Sequence, residues 1–319
     1  MSNEIELKFE IEQATIKPIS QFFESLMILQ HDTYHLENTY YDTPDNYLKS
    51  HHSSIRVRGI QTHSQTKQYE ITVKSSGHAI AGLHQRLEYN ANLPNKTLDL
   101  SVLPQDILPK TVDLDSLAKQ LQAQFTTNFT RRMWLVAFNQ SKIEIALDCG
   151  SITIPNGHQI PIQEIELELK TGNSIDLITF ALQISQFRIH LFSQSKAARG
   201  YRLLKRQSIG KMNTISLDHL QVNSALTKLL KFWQTNEEYA LTNHDLIIYQ
   251  YTLSQVNAHL TKILSSIEGV ETKQELKRIF NQWSLQVLSI KNIELFAYSE
   301  INNQLKLWLI RLLLTLSDQ

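Results

Sequence analysis

The stretch that decides the fold, residues 4–12, reads EIELKFEIE. Successive side chains of a β-strand point to opposite faces, so Glu4, Glu6 and Lys8 share one face and the other face is wholly apolar. The same alternation returns at residues 164–170, which read EIELELK. Two such strands predict a sheet with one apolar face and one densely charged face.

Period-2 alternation marks seven segments of the first two hundred residues: 4–12, 54–60, 68–75, 84–92, 132–138, 142–149 and 162–170. Helical spacing appears near 18–29, 114–124 and 174–187. Residues 93–113 carry three prolines among polar residues and predict a long surface connection. The order of elements favours an α+β protein built on an antiparallel sheet.

A solvated, salt-bridged outer face would account for any one of these strands. Seven strands with the same pattern favour another arrangement, because three helices can cover only the outside of the sheet. Closing the sheet removes its edges and turns the charged face inward. Buried charges at that density need partners, water or a ligand. We therefore predict a β-barrel whose hydrophilic interior is a binding tunnel.

The charges in the predicted tunnel separate by sign. Carboxylates at i, i+2 and i+4 on two strands offer the oxygen ligands that hard divalent cations prefer. Arginines and lysines on other strands offer contacts to phosphate oxygens. One cavity with both features predicts metal-assisted binding of a polyphosphate.

Composition limits the other possibilities. The 319 residues contain 31 Lys+Arg and 31 Asp+Glu, so the mean charge gives no reason to expect a nucleic-acid partner. Cys149 is the only cysteine, which fits a reducing cytoplasm. The most apolar run, residues 305–316, is short and contains Lys306 and Arg311, so no membrane span is expected. These features predict a cytoplasmic protein.

The character of the chain changes after about residue 212. Residues 213–319 contain no proline and one glycine, Gly269, and their apolar spacing predicts helices near 216–235, 243–267, 271–296 and 299–316. The region has 9 Lys+Arg and 10 Asp+Glu, so it is close to neutral. We expect an all-α unit with a structural role, or with a surface for self-association or a protein contact.

Several blocks, in order and spacing, resemble the CYTH or triphosphate tunnel metalloenzyme superfamily. The blocks are Glu4-x-Glu6-x-Lys8, Tyr40-Tyr41-Asp42-Thr43-Pro44, Ile55-Arg56-Val57-Arg58, Thr72-Val73-Lys74, Gln85-Arg86-Leu87-Glu88, Arg131 before Trp134, Glu144 through Asp148, Glu164-x-Glu166-x-Glu168, and Ser195 through Tyr201. Within the superfamily the chain is most similar to bacterial inorganic triphosphatases that join a CYTH domain to a helical CHAD domain. The C-terminal part is short and diverged from CHAD.

The resemblance implies an eight-stranded antiparallel tunnel over residues 1–206 and a separate helical domain over 213–319. It implies hydrolysis of inorganic triphosphate with Mg²⁺ or Mn²⁺, two ions being expected with substrate bound. The implied metal residues are Glu4, Glu6, Asp148, Glu164, Glu166 and Glu168. The implied substrate contacts are Lys8, Arg56, Arg58, Lys74, Arg86, Arg131, Lys196 and Arg199. Lys8, Glu6 and Glu168 form the expected catalytic set.

The expected reaction is an in-line attack of water on a terminal phosphorus, with the metals activating the water and the bases stabilising the leaving diphosphate. Two alternatives share the tunnel residues. One is a nucleotide-directed enzyme, such as an adenylate cyclase or a thiamine or nucleoside triphosphatase. The other is a non-catalytic sensor of polyphosphate or nucleotides, against which the intact Glu6, Glu166 and Glu168 argue.

Overall fold

The structure is a computed structural model that describes residues 2–62, 66–80, 83–104, 107, 113–266 and 273–317. It contains a closed antiparallel barrel followed by a helical region, which confirms the predicted fold class. Within the described ranges, no helix is long and apolar enough to cross a membrane.

Eight strands form the barrel and a ninth adds to it. Their bounds are β1 (Ser2–Ile11), β2 (Ile28–Asp42), β3 (Ser54–Gln61), β4 (Gln68–Ile80), β5 (Leu83–Leu93), β6 (Gln122–Phe138), β7 (Ser141–Thr153), β8 (Gln159–Thr171) and β9 (Ile189–Leu191). The sheet runs β5-β4-β3-β2-β6-β7-β8-β1-β9, and pairing of β5 with β1 closes it. Closure leaves no exposed edge among the eight barrel strands, as predicted.

The barrel is turned inside out, with charges within and apolar side chains without. On β1, Leu7 and Phe9 are fully buried against the surrounding elements, while Glu6 and Lys8 are buried in the interior. The alternate side chains of β3 follow the same rule, because Ile55 packs outward with a second apolar cluster. Strand alternation therefore gave the correct face for the charged residues.

Ten helices are described: α1 (Gln13–Glu24), α2 (Tyr47–Ser50), α3 (Leu114–Gln120), α4 (Ser174–Ile184), α5 (Lys196–Lys205), α6 (Val222–Asn243), α7 (Leu246–Ser266), α8 (Lys273–Val287), α9 (Ile293–Ala297) and α10 (Glu300–Ser317). Helix α5 was not among the predicted helices, and it packs into the barrel rather than over its outer surface. Its Gly200 sits so close to the interior ring of Phe125 that an added Cβ would come within 2.2 Å of the ring. The Tyr201 hydroxyl donates a hydrogen bond to Asp42 at 2.7 Å. Helix α5 therefore closes one end of the barrel.

Several other elements differ from the predicted ones, including the helix expected at 216–235, which spans Val222–Asn243. Strand β2 was not predicted, because its outer residues are mixed and polar. The helix expected at 18–29 ends at Glu24. The helix expected at 114–124 ends at Gln120, because β6 already begins at Gln122. The helix expected at 271–296 is interrupted after Val287 and gives α8 and α9, with its predicted start lying outside the described residues. In the connection predicted to run over the surface at 93–113, the described residues Leu100 and Leu103 are buried against the barrel.

The helical region packs directly on the barrel. One continuous apolar cluster joins outward side chains of β1, such as Leu7, to Leu226 and Trp233 of α6 and Leu305 of α10. Helix α10 also covers the edge of β9, where Asn303 Oδ1 accepts from the Leu191 amide at 2.8 Å and Asn303 Nδ2 donates to the Ile189 carbonyl at 2.7 Å. This side chain substitutes for a neighbouring strand.

Candidate active site

A polar cavity of about 210 Å³ lies inside the barrel. Seven carboxylates line it, namely Glu4, Glu6, Glu70, Glu88, Glu144, Glu166 and Glu168. Eight cationic side chains line it as well, namely Lys8, Arg56, Arg58, Lys74, Arg86, Arg131, Lys170 and Lys196. Charge at this density is stable in a barrel interior only when the two signs neutralise one another.

Lys74 on β4 lies between two carboxylates of neighbouring strands. Its Nζ is 2.7 Å from Glu4 Oε2 and 2.8 Å from Glu88 Oε2. Burial raises the pKa of Glu4 to about 7, although Lys74 lowers it, and the neighbouring Glu6 and Glu88 raise it further. For Glu88 burial would also raise the pKa, but Lys74 and Arg56 outweigh it and hold that pKa below its usual range.

Lys8 on β1 makes a similar bridge across the barrel wall. Its Nζ is 2.9 Å from Glu6 Oε2 and 2.5 Å from Glu166 Oε1. Burial would lower the pKa of Lys8, but Glu166 and Glu6 outweigh it and raise that pKa. Glu6 stays ionised, because the charges of Lys8 and Lys74 overcome burial and lower its pKa.

A second ion network lies deeper, between the strands and α5. Arg131 donates to both oxygens of Asp148, at 2.8 and 2.7 Å, and to Glu166 at 2.5 Å. Lys196, the first residue of α5, is 2.6 Å from Asp148 Oδ2 and also contacts Glu164. Asp148 and Glu164 are fully buried and do not line the cavity. Both carboxylates instead bind cations of α5 and β6.

The opposite wall is basic. Arg58 Nε donates to Asn38 Oδ1 at 2.7 Å, and burial together with nearby Arg56 and Arg131 lowers the pKa of Arg58 to about 10. Arg56 Nε is buried without a hydrogen-bond partner among the described residues. Tyr40 lies between these arginines; burial would raise the pKa of its hydroxyl, but Arg56 and Arg58 lower it. This wall presents guanidinium donors to an anion.

Arg86 lines the same cavity. Its Nη2 lies 2.8 Å from His84 Nδ1. Burial and then the charges of Arg86 and Lys8 lower the pKa of His84 to about 3, so the ring is neutral and accepts a hydrogen bond from Arg86. His84 thereby orients the Arg86 side chain.

Two sets of carboxylates could hold a cation. Asp148, Glu164 and Glu166 offer oxygens within 4.8 Å of one another, but Arg131 and Lys196 already bind them. The other set is a row of direct cross-strand neighbours, in which Glu168 lies between Glu6 on β1 and Glu144 on β7. Like charges directly opposite one another are unfavourable unless a cation lies between them.

In that row Lys170 Nζ lies 2.8 Å from Glu168 and 3.7 Å from Glu144, and its side chain is 41% exposed. Burial raises the pKa of Glu168, and the adjacent Glu144 raises it further. Glu6 in this row is paired with Lys8, whereas Glu168 and Glu144 contact the partly exposed Lys170, so these two carboxylates are the oxygen donors of the row more accessible to a hard divalent cation.

The structure brings most of the predicted site residues together. Eleven of the fourteen line the cavity, and Asp148, Glu164 and Arg199 lie behind it. Sequence reasoning did not assign Tyr40, Glu70, Glu88, Glu144 or Lys170, although all of these line the cavity. Glu88, Glu144 and Lys170 already stood on charged faces, so strand phase alone could have found them.

An inside-out barrel with acidic and basic walls defines a class of anion-binding tunnel proteins. Residues 2–201 match the CYTH domain, and the chain belongs to that family. It is 38% identical over 209 residues to a protein of Haemophilus influenzae named an inorganic triphosphatase. That alignment covers 65% of this chain and 56% of the relative, so the chain spans little more than half of the curated relative it matches.

Solved structures with a similar fold are more distant. A Hippeastrum protein described for its dominant triphosphatase activity is 15% identical, with 68% of this chain and all of that chain covered, at a TM-score of 0.45. A protein from Pyrococcus horikoshii is 16% identical, with 57% of this chain and 85% of that chain covered, at a TM-score of 0.37.

Proposed function

We propose that this protein hydrolyses inorganic triphosphate to diphosphate and phosphate inside the barrel, with the help of divalent cations. The observation that carries the proposal is the pairing of an acidic wall with a basic wall in one cavity closed at one end by α5. The name of the Haemophilus influenzae relative supports the same substrate class.

The charge balance of the cavity favours a ligand that brings both signs. Eight cationic side chains face seven carboxylates, so the protein alone is nearly neutral there. A triphosphate alone would add several negative charges to a site already holding carboxylates, and a cation alone would meet the lysines. A triphosphate accompanied by two divalent cations, Mg²⁺ or Mn²⁺, adds little net charge. That combination is the one the cavity accommodates at least electrostatic cost.

The cations would be held by Glu4, Glu6, Glu166 and Glu168, with Glu144 completing the row across β7 and β8. A bound divalent cation would offset phosphate charge and act as a Lewis acid toward the attacking water. Asp148 and Glu164 would act from behind, since they fix Arg131 and Lys196 in place.

The protein's own residues would bind and orient the substrate. Arg56, Arg58 and Arg86 present guanidinium donors that match phosphate oxygens and would stabilise charge on the leaving diphosphate. Lys8, now bridging Glu6 and Glu166, is positioned to turn its ammonium group to the attacked phosphoryl group. The residues of α5 close one end and limit the access of bulk water.

The test is phosphate release from tripolyphosphate by the full chain, with Mg²⁺ or Mn²⁺, compared with release from ATP and thiamine triphosphate. We expect Glu6→Ala to lose nearly all activity. Arg58→Ala should lose about 10- to 100-fold in kcat/KM, because one charge-assisted hydrogen bond contributes about 1.5–3 kcal/mol. Two controls remove exposed charges, Glu300→Ala a negative one to match Glu6→Ala and Lys119→Ala a positive one to match Arg58→Ala. Both should leave the rate unchanged.

Wild-type rates in Glu6→Ala would reject the metal-site assignment. A preference for ATP with a cyclic product would identify the protein as an adenylate cyclase. A preference for thiamine triphosphate would identify it as a thiamine triphosphatase. Binding of tripolyphosphate without turnover under every metal condition would make the protein a sensor.

We also propose that residues 1–206 form the tunnel domain and residues 213–319 a helical domain that braces it. The cover that α10 gives to β9, which pairs with β1, supports this role. A surface on the helical domain for self-association or a protein contact remains part of the proposal.

A further inference from the structure

A second cavity, of about 570 Å³, opens on the outer side of α5, between the barrel and the helical region. We call it the seam cleft. Its walls are the β7–β8 hairpin with His158 and Ile160, the α5 side with Arg199, Arg202 and Arg206, and Thr242 of α6. It is larger than the tunnel cavity and shares no lining residue with it.

The three arginines of the seam cleft follow one another along its α5 side. Arg199 and Arg202 are three residues apart on the helix, and Arg206 is its C-cap residue, with a left-handed backbone (φ 50°). The Arg199 guanidinium contacts Glu164, but its Nε is buried and has no hydrogen-bond partner within the described part of the chain. Arg202 donates to the neutral amide oxygen of Gln194 at 2.9 Å. Arg206 is exposed and forms no ion pair with any described residue.

Arg202 and Arg206 form no ion pair with a described residue, and Glu238 acts on Arg202 only through its longer-range charge. Burial lowers the pKa of Arg202, Glu238 raises it, and the charge of Arg199 lowers it again. Basic side chains near a helix C-terminus commonly favour the helix dipole, which accounts for exposed ones. It does not account for a half-buried guanidinium beside another guanidinium whose Nε is buried and unpaired. An anion in the cleft would pair with the half-buried Arg202 and the exposed Arg206.

The rest of the cleft is apolar. Ile154 and Ile160 of the hairpin, Leu203 of α5 and Ile209 of the following segment face the same space as the arginines. A simple phosphate would leave this wall in contact with water. A ligand with a phosphorylated end and a flat, weakly polar end would use both parts of the cleft.

We propose that the seam cleft binds a nucleoside phosphate, with its phosphates on Arg202 and Arg206 and its base on the isoleucines. The site is independent of the hydrolysis proposed above. It would nevertheless lie one helix away from the tunnel, because Lys196 of the same helix lines the tunnel and shares Glu164 with Arg199.

The test is isothermal titration calorimetry of ADP into the full chain in the presence of EDTA. We expect Arg202→Ala/Arg206→Ala to weaken ADP binding at least tenfold, because two charge-assisted hydrogen bonds are lost. Lys205→Ala removes a neighbouring exposed cation that does not line the cleft, and Arg56→Ala removes a tunnel cation. Both should retain ADP affinity within about twofold. If the double variant does not fold, the exposed Arg206→Glu should still weaken binding.

Three results would overturn the proposal. One is no ADP binding at millimolar concentration, and another is binding lost in Arg56→Ala but kept in the double variant, which would place ADP in the tunnel. The third is inorganic diphosphate binding as tightly as ADP, which would exclude a role for the apolar wall. Tripolyphosphate hydrolysis by the same variants reports separately on the proposed function, so the two can fail independently.

Discussion

Replacing Lys306 by methionine should cost about 3 kcal/mol of stability, because it leaves a buried carboxylate without its cation. Glu237 of α6 is fully buried and accepts hydrogen bonds from His190 of β9 and Tyr249 of α7, both at 2.9 Å, and from Asn302 of α10 at 3.0 Å. Lys306 Nζ contacts the same carboxylate and is also buried. The network therefore joins the barrel to three helices.

Two lines of reasoning give the same magnitude. Removing one partner of a buried ion pair costs about 3–5 kcal/mol, because the other charge stays buried and unpaired. Burial would raise the pKa of Glu237, but Lys306 and then His190 overcome it and lower that pKa from 4.5 to about 2. Such a difference between the folded and unfolded states corresponds to about 3 kcal/mol. Lys306→Met/Glu237→Gln removes both charges and should lie closer to the wild type than either single variant.

The pH dependence has a definite sign. A carboxyl whose pKa is lowered by folding stabilises the protein above its unfolded pKa of 4.5, and this contribution is lost as pH falls toward 2. Burial would lower the pKa of His190, but the nearby carboxylates of Glu10 and Glu237 raise it above 6.5. Its contribution is therefore present below pH 6.5 and is lost as pH rises through the folded value. These two groups favour greatest stability between pH 4.5 and 6.5.

The assay is urea unfolding of the full chain at several pH values, followed by tryptophan fluorescence and circular dichroism. Lys228→Met changes an exposed lysine of α6 and controls for the substitution itself. A cost below about 1 kcal/mol in Lys306→Met at pH 6 would refute the reasoning. So would a stability difference from wild type that does not shrink as pH falls from 4.5 toward 2.

Three other predictions concern α5, β9 and the cavity. Gly200→Ala should lower stability by about 1–3 kcal/mol in urea unfolding and reduce tripolyphosphate hydrolysis, because the Phe125 ring leaves no room for a Cβ. Asn303→Ala should cost about 2 kcal/mol in the same unfolding assay, since two backbone groups of β9 lose their partner. The Lys74→Met variant should bind Mn²⁺ more tightly than the wild type in calorimetry without phosphate, because Lys74 competes with cations for Glu4 and Glu88. It should bind tripolyphosphate more weakly, because a cation of the cavity is lost.

Each of these has a matched control. An added Cβ at Gly210 meets nothing within 4 Å, so Gly210→Ala should leave stability and activity unchanged. Asn243→Ala removes an exposed amide that bonds only to its own helix. Lys119→Met removes an exposed lysine of α3. Unchanged Mn²⁺ affinity in Lys74→Met would show that this lysine does not compete with cations for Glu4 and Glu88.

Strand alternation made the barrel predictable from the sequence because its signal is local. In residues 4–10 of β1 and 164–170 of β8 every second residue is charged. This pattern indicates which face of the sheet is charged, and it led to the prediction that the sheet closes with this face inside. Strand β2 escaped because residues 28–35 are exposed or half-exposed and mixed in character. Its pairing with β6 along nearly its whole length, rather than its own pattern, makes it a strand.

The pairing of charges could not be predicted in the same way. The family resemblance implied metal binding by Asp148, Glu164 and Glu166, which strand alternation places together on the inner face. The structure shows that Arg131, Lys196 and Arg199 hold Asp148 and Glu164 behind the cavity. Two of these cations belong to α5. The position of this helix depends on the connection that precedes it, and hydrophobic periodicity in the sequence does not predict the path of that connection.

The closed end of the tunnel could nevertheless be predicted from the alternation of side chains along the strands. Phe125 and Phe129 stand in the same phase of β6 as Arg131, and Ile152 stands in the phase of Asp148 on β7. The inner face thus changes along each strand from charged to apolar, and the apolar part forms one cluster with Tyr201 of α5. A water-filled tunnel open at both ends gives no reason for an apolar inner band. An inward band of this kind predicts that a further element plugs the barrel there, and the plug makes the cavity a pocket with one entrance.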